Sequence, residues 1–145
     1  MPFRWLIGDR SNGVRATLKT GMTIGAVLIP LQILAGDFHG LNTLEHQPQK
    51  VAAMEGNWEP GPNVPLVLFA IPNEETRSND FEIGIPNGAS LILKHSLDGV
   101  VPGLNDFVAE DGTVMHPPVA PVFYSFRIMV ATGMAMLLLS WSAVF

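Results

Sequence analysis

Two apolar runs, each long enough to cross a bilayer, dominate this chain. Residues 16–35 are broken only by polar threonines, Lys19 and Gln32. Twenty helical residues rise about 30 Å, the thickness of a hydrocarbon core. Residues 122–145 form the second run, with Arg127 as its single charge. Only 14% of the 145 residues are charged and 48% are hydrophobic, whereas ordinary soluble domains carry charge at about a quarter of their positions. A soluble α+β fold with two buried helices is the competing reading, but runs this long and this free of charge argue for spans. The fold class that follows is an all-α integral membrane protein. Two transmembrane helices flank a mostly irregular extracytoplasmic loop with short helix and strand elements.

Charge asymmetry supplies an orientation. Arg4, Arg10, Arg15 and Lys19 cluster before and at the start of the first run, with Asp9 as the only acid among them. Between the runs, Lys50, Arg77 and Lys94 are the only Lys or Arg among many acids. Lys and Arg near helix ends mark the cytoplasmic side. Residues 1–15 are therefore expected in the cytoplasm, 16–35 as the first transmembrane helix, 36–121 as the extracytoplasmic loop and 122–145 as the second transmembrane helix. A signal peptide shares the basic start and the small-residue end, here Ala35-Gly36. Its apolar core is normally shorter and uniform, whereas Pro30 and Gln32 interrupt this one. Proline frees a backbone carbonyl that a neighbouring helix or water must satisfy, so residues 16–35 read as a helix packed in a bundle. The second run reaches Phe145 without a polar flank, which predicts a portion of a longer polypeptide. With no cysteine, thiolate metal sites, disulfides and cysteine nucleophiles are excluded. A net charge of −5 without a basic patch argues against a nucleic-acid partner.

The stretch from Gly36 to Trp58 packs charge, imidazole and amide side chains into the mouth of the first span. Such groups are costly at a membrane boundary and tend to mark a site. Pro48 suits the first turn of a helix and Gly56 its end, which predicts a helix over Pro48–Glu55. Lys50 then lies near its N-terminus and Glu55 near its C-terminus. Both charges oppose the helix dipole, so local stability does not explain them; the alternative is a pair of solvated charges. Beyond Trp58, residues 66–71 form an apolar stretch, 73–80 a polar turn, 81–85 an alternating strand and 89–93 a short apolar element. Pro102, Gly103, Pro117 and Pro118 punctuate the return to the membrane.

In the second run Arg127 falls about 8 Å along from Val122, near the outer interface, where arginine commonly serves as a snorkelling anchor. Met129 shares a helical face with Gly133 and Met136. Glycine there leaves a flat recess beside a thioether, which suits a planar cofactor; core packing is the ordinary use of such a methionine. Methionine can also ligate haem iron, which one residue does not establish.

Taken together these segments resemble a known family. Gly36-Asp37, Leu44-Glu-His-Gln-Pro-Gln-Lys50-Val-Ala-Ala-Met-Glu55-Gly-Asn-Trp58, Leu68-Phe-Ala-Ile-Pro72 and Phe81-Glu-Ile-Gly-Ile-Pro86 look like the quinol-binding loop of cytochrome bd quinol oxidase subunit I. Val119-Ala-Pro-Val-Phe-Tyr-Ser-Phe-Arg-Ile-Met-Val130 looks like the start of the helix after that loop. The form of residues 36–46 and the compact loop are most similar to the cyanide-insensitive branch. The resemblance covers nearly the whole chain in order, with Lys-x-x-x-x-Glu and Phe-Arg-Ile-Met as its most specific parts.

That resemblance implies roles. Lys50 and Glu55 match the family's quinol-site lysine and glutamate, and Asp37 an acid near the same site. Met129 matches the methionine ligand of the low-spin haem b, and Arg127 the arginine beside it. Glu55 would accept a proton, Lys50 would hydrogen-bond a quinol oxygen and Arg127 would offset a haem propionate. Arg127 and Met129 lie about 200° apart around the helix, so the arginine must reach. Further haems, b and d or b alone, would complete the oxidase, with the remainder of subunit I, a second subunit and the lipid bilayer as partners. The expected location is the bacterial inner membrane, as part of a multi-pass subunit with the loop on the periplasmic face. The histidine opposite the methionine belongs to an earlier helix of the family, and His39, His46, His95 and His116 carry no ligand role here. The implied activity is quinol oxidation with electrons passed through haem to reduce oxygen to water, which this chain alone would not perform. The alternative is a non-enzymatic two-helix anchor displaying an extracytoplasmic binding domain.

Overall fold

Pro48 sets the main internal boundary of the chain. Its ring disfavours helical backbone at the residue before it, and Gln47 accordingly leaves the helix at φ −140°, ψ 61°. In the computed structural model, which describes residues 2–145 (Pro2 by its backbone alone), the first membrane-length helix ends at that point. After a short helix α1 (Pro2–Leu6), helix α2 runs Asn12–His46, 35 residues and about 52 Å. The helix expected over 16–35 is thus a segment of a longer one. Residues 36–46, assigned to the loop from their polar side chains, continue it because no proline intervenes before Pro48. Its last turn is closed by side chains: Thr43 Oγ1 donates to the His39 carbonyl at 2.9 Å, and His46 Nδ1 lies 2.9 Å from the Asn42 carbonyl.

Helix α3 (Pro48–Glu55) begins with the proline at its first position and has the predicted bounds. The apolar stretch and the alternating segment that follow pair as an antiparallel hairpin, β1 (Leu66–Asn73) with β2 (Ser78–Ile85). Both strands reach into the predicted turn, which shrinks to residues 74–77. Asn73 Oδ1 accepts the Glu75 and Thr76 amides at 3.0 and 3.2 Å, an Asx turn that nucleates the reversal. The short apolar element is helix α4 (Gly88–Lys94). The last helix, α5 (Val119–Val144), starts three residues before the predicted span, because Pro121 is tolerated in a first turn. Glu74 Oε1 accepts the Val119 amide at 2.9 Å, placing a carboxylate at the positive end of α5.

Both α2 and α5 are long and apolar enough to cross a membrane. The chain divides into two compact units, Met1–Asp37 with Val130–Phe145, and Phe38–Met129. In the first unit Pro30 has the consequence anticipated for it. Having no N–H, it leaves the Ala26 carbonyl without its helical donor, and Trp141 Nε1 from α5 donates to that oxygen at 3.0 Å. One turn of small residues allows the approach: a Cβ on Gly25 would sit 3.6 Å from Ser140 Cβ. Trp141→Phe keeps a smaller aromatic ring and removes the donor. It is expected to destabilise this helix pair by about 1 kcal/mol, read as a lower thermal midpoint of the purified protein in detergent; an unchanged midpoint would mean the carbonyl has found another donor.

The second unit builds its core around α3. Ala52 and Ala53 are fully buried with Trp58, Leu104 and Val119, while Val67 and Ala70 of β1 pack with Phe123. Residues 57–61 are held against 101–105 by backbone pairing: Leu104 N donates to the Asn57 carbonyl at 2.8 Å and Asn105 N to Trp58 at 3.0 Å. Gly103 is required there, since a Cβ would lie 2.4 Å from the Pro60 nitrogen.

Candidate functional site

Helix α3 has a buried face of Val51, Ala52, Ala53 and Glu55, and Lys50 lies on its exposed side. Glu55 ends the helix. The next residue, Gly56, turns left-handed at φ 65°, ψ 30°, a conformation that favours glycine. Its amide and that of Asn57 return to the Ala53 and Ala52 carbonyls at 3.3 and 3.0 Å, closing the helix end. The reversal delivers the Glu55 side chain inward, where its residue is 7% exposed.

A carboxylate at the negative end of a helix, removed from water, needs a cation. Arg127 supplies it from α5: its Nη2 donates to Glu55 Oε2 at 2.8 Å across 72 residues of sequence. Phe123 and Phe126 flank the guanidinium, with ring centroids 4.8 and 5.4 Å from Cζ. Phe123 is fully buried against Gly56, where a Cβ would meet its ring at 3.0 Å. The Tyr124 hydroxyl donates to the Ala70 carbonyl at 3.0 Å and ties the same turn of α5 to β1. Arg127 keeps one donor in reserve: Nε is buried with no acceptor among the described residues. Two residues on, Met129 is 61% exposed.

Beyond Glu55 the chain is held by a polar frame. Trp58 is buried, and its Nε1 donates to Asn79 Oδ1 at 2.8 Å. The Asn79 amide nitrogen donates to the Gly56 carbonyl and to Glu82 Oε2, each at 2.8 Å. Arg77 Nε donates to Asn105 Oδ1 at 2.6 Å, and Asn105 Nδ2 to Glu59 Oε1 at 2.5 Å. A cleft of about 410 Å³ opens beside these groups, lined by Trp58, Arg77, Asn79 and Glu82 among others.

The structure therefore joins two of the sequence-derived site residues, Glu55 and Arg127. Lys50 has no ion-pair partner among the described residues, and five helical positions place it about 140° around α3 from Glu55. Asp37 is half-buried on α2 in the other compact unit. His39 and His46 are exposed on α2, His95 caps α4, and His116 meets the Trp58 ring edge-on at 6.3 Å. No cluster of three His, Asp or Glu side chains suited to a metal ion occurs among the described residues. The Arg127–Glu55 pair escaped the sequence reading, although a signal was present. A carboxylate at the wrong end of a helix calls for a distant cation, and Arg127 is the only Lys or Arg after residue 94. Asn79 gave no such signal, because one amide in a polar turn looks like any other.

Known proteins share this arrangement of elements. The family model for cytochrome bd terminal oxidase subunit I matches residues 3–145. Subunit 1 of the cytochrome bd-II ubiquinol oxidase of Escherichia coli is 35% identical over 107 residues, 72% of this chain and 21% of that protein. A putative cytochrome bd menaquinol oxidase subunit I of Bacillus subtilis is 34% identical over 128 residues, 87% of this chain and 27% of that protein. The solved bd oxidase of Geobacillus thermodenitrificans superposes with a TM-score of 0.84 at 28% identity, covering 99% of this chain and 32% of that one. The chain thus spans between a fifth and a third of the length of these relatives.

Proposed function

The chain belongs to the cytochrome bd terminal oxidase subunit I family, and we propose on that premise that it forms the quinol-oxidising part of a terminal respiratory oxidase. The observation that carries the reading is the buried Glu55–Arg127 pair. It places an acid suited to proton transfer against the turn of α5 that bears Met129.

In this reading the basic N-terminal cluster keeps residues 1–15 in the cytoplasm and puts the loop on the periplasmic side of a bacterial inner membrane. Quinol gives up two protons and two electrons. Glu55 accepts a proton from a quinol hydroxyl, its carboxylate pre-aligned by the Arg127 guanidinium and kept from bulk water by α3 and Phe123. Lys50, exposed on the outer side of α3, reaches toward a quinol oxygen with its flexible ammonium, and Asp37 adds an acid to the same chemistry.

The residues present fit a low-spin haem b. Met129 offers an exposed thioether suited to an iron ligand, and the orphaned Nε of Arg127 offers a buried donor for a propionate. A haem held by Met129 would supply a one-electron acceptor for quinol. Nη2 is held by Glu55, and Nε, buried with no acceptor among the described residues, is the donor we assign to a propionate. Further haems, the rest of subunit I and a second subunit complete the path to oxygen. A bare two-helix anchor would have no use for a desolvated ion pair beside an open methionine.

Glu55→Ala in the assembled oxidase tests the assignment. Quinol oxidation is expected to fall by about 10²-fold, the usual cost of losing a general base, while the low-spin haem band remains. A wild-type rate would reject Glu55 as proton acceptor.

A further inference from the structure

We propose that Asn79, the second residue of β2, is the positioning residue for Glu55, acting through the backbone that follows Glu55. The inference rests on the proposed role of Glu55.

Both N–H groups and the carbonyl oxygen of the Asn79 amide are engaged. Its two N–H groups go to the Gly56 carbonyl and Glu82 Oε2, and its oxygen takes the Trp58 indole N–H, all three at 2.8 Å. Only one orientation of the amide satisfies this set. A flipped amide would set its oxygen against a carbonyl and a carboxylate, and its nitrogen against an indole N–H.

What the amide holds matters for chemistry. Gly56 is the left-handed residue that aims Glu55 inward, and its carbonyl is fixed by Asn79. Trp58, two residues on, anchors the core that buries α3, and its ring nitrogen is fixed by the same side chain. One side chain on the hairpin thus clamps the reversal at Gly56 and the Trp58 side chain just after it, the segment that sets the Glu55 carboxylate against Arg127. Small misplacements of a reacting group cost large factors in rate, so a clamp of this kind governs turnover without touching the substrate.

Asn79→Asp tests this. The carboxylate keeps the shape and can accept from Trp58, but it cannot donate to the Gly56 carbonyl, and it faces Glu82 as a like charge. In the assembled oxidase the variant is expected to lose about tenfold in turnover, with quinol KM within about twofold and the haem bands retained. The decisive measurement is a double-mutant cycle with Glu55→Gln. If Asn79 acts through Glu55, adding Asn79→Asp to Glu55→Gln produces no further loss. Multiplied losses, or wild-type turnover in Asn79→Asp beside an impaired Glu55→Gln, overturn the inference alone. A Glu55→Gln variant at full turnover rejects the role of Glu55 and this inference with it. Should Asn79→Asp fail to assemble, Trp58→Phe severs one of the three bonds while keeping a smaller aromatic side chain in the core, and the same cycle is read on it, with a smaller loss expected.

Discussion

Met129→Leu is expected to abolish or shift the low-spin haem band of the assembled oxidase while the protein still accumulates in the membrane. Leucine matches methionine in volume to within a conservative swap, so packing is little disturbed, and Met129 is mostly exposed on α5 in any case. What leucine lacks is the thioether, the group able to ligate iron and raise its potential. A reduced-minus-oxidised spectrum reads the result directly. Quinol oxidation should collapse with the band, since the acceptor next to Glu55 would be lost or mistuned. An unaltered spectrum would remove Met129 from the haem site, and the exposed thioether would then be a lipid- or protein-facing surface residue.

Arg127→Leu is the second large effect, with a different signature. Removing the guanidinium strands the Glu55 carboxylate in a site where its side chain is only 9% exposed. Breaking one member of a buried pair costs about 3–5 kcal/mol, because the remaining charge is left uncompensated. The variant should therefore show lower thermal stability of the loop unit and poor assembly. Adding Glu55→Leu removes the stranded charge as well, and replacing both members of a buried pair by apolar groups is often neutral or stabilising. The double variant is expected to recover most of the stability and none of the quinol oxidation. Recovery of both would mean the pair is structural only. Failure to recover stability would mean that Arg127 contributes chiefly through its contacts with Phe123 and Phe126.

These two predictions depend on sequence information of different kinds. Met129 and Arg127 stood out from the string around them, and Lys50 and Glu55 from charges set against a helix dipole. Their pairing did not. Lys50 and Glu55 stood out together only because both oppose the dipole of the same short helix, whereas the ion-pair partner of Glu55 comes from 72 residues downstream. Residues 36–46 are helical for a related reason. Their polar side chains suit a loop, and the continuation of α2 to His46 follows from the absence of a stop signal before Pro48. The hairpin was half visible: the alternating 81–85 segment read as a strand, but its partner β1 looked only like an apolar stretch.

Helices, caps and membrane-length spans are written locally. A proline at a first position, a glycine in the left-handed region or twenty apolar residues in a row act within a turn or two of the chain, so α3 was legible with both of its ends. The burial of a polar group is a different matter. A free Ala26 carbonyl at Pro30, a carboxylate at the end of α3 and an indole N–H on Trp58 each announce that a partner is needed. Which partner answers depends on where the backbone carries residues far apart in the sequence. Trp141, Arg127 and Asn79 are those partners only in the folded chain. Hydrogen bonds and ion pairs reach about 3 Å, and no local pattern specifies which distant side chain will arrive within that distance.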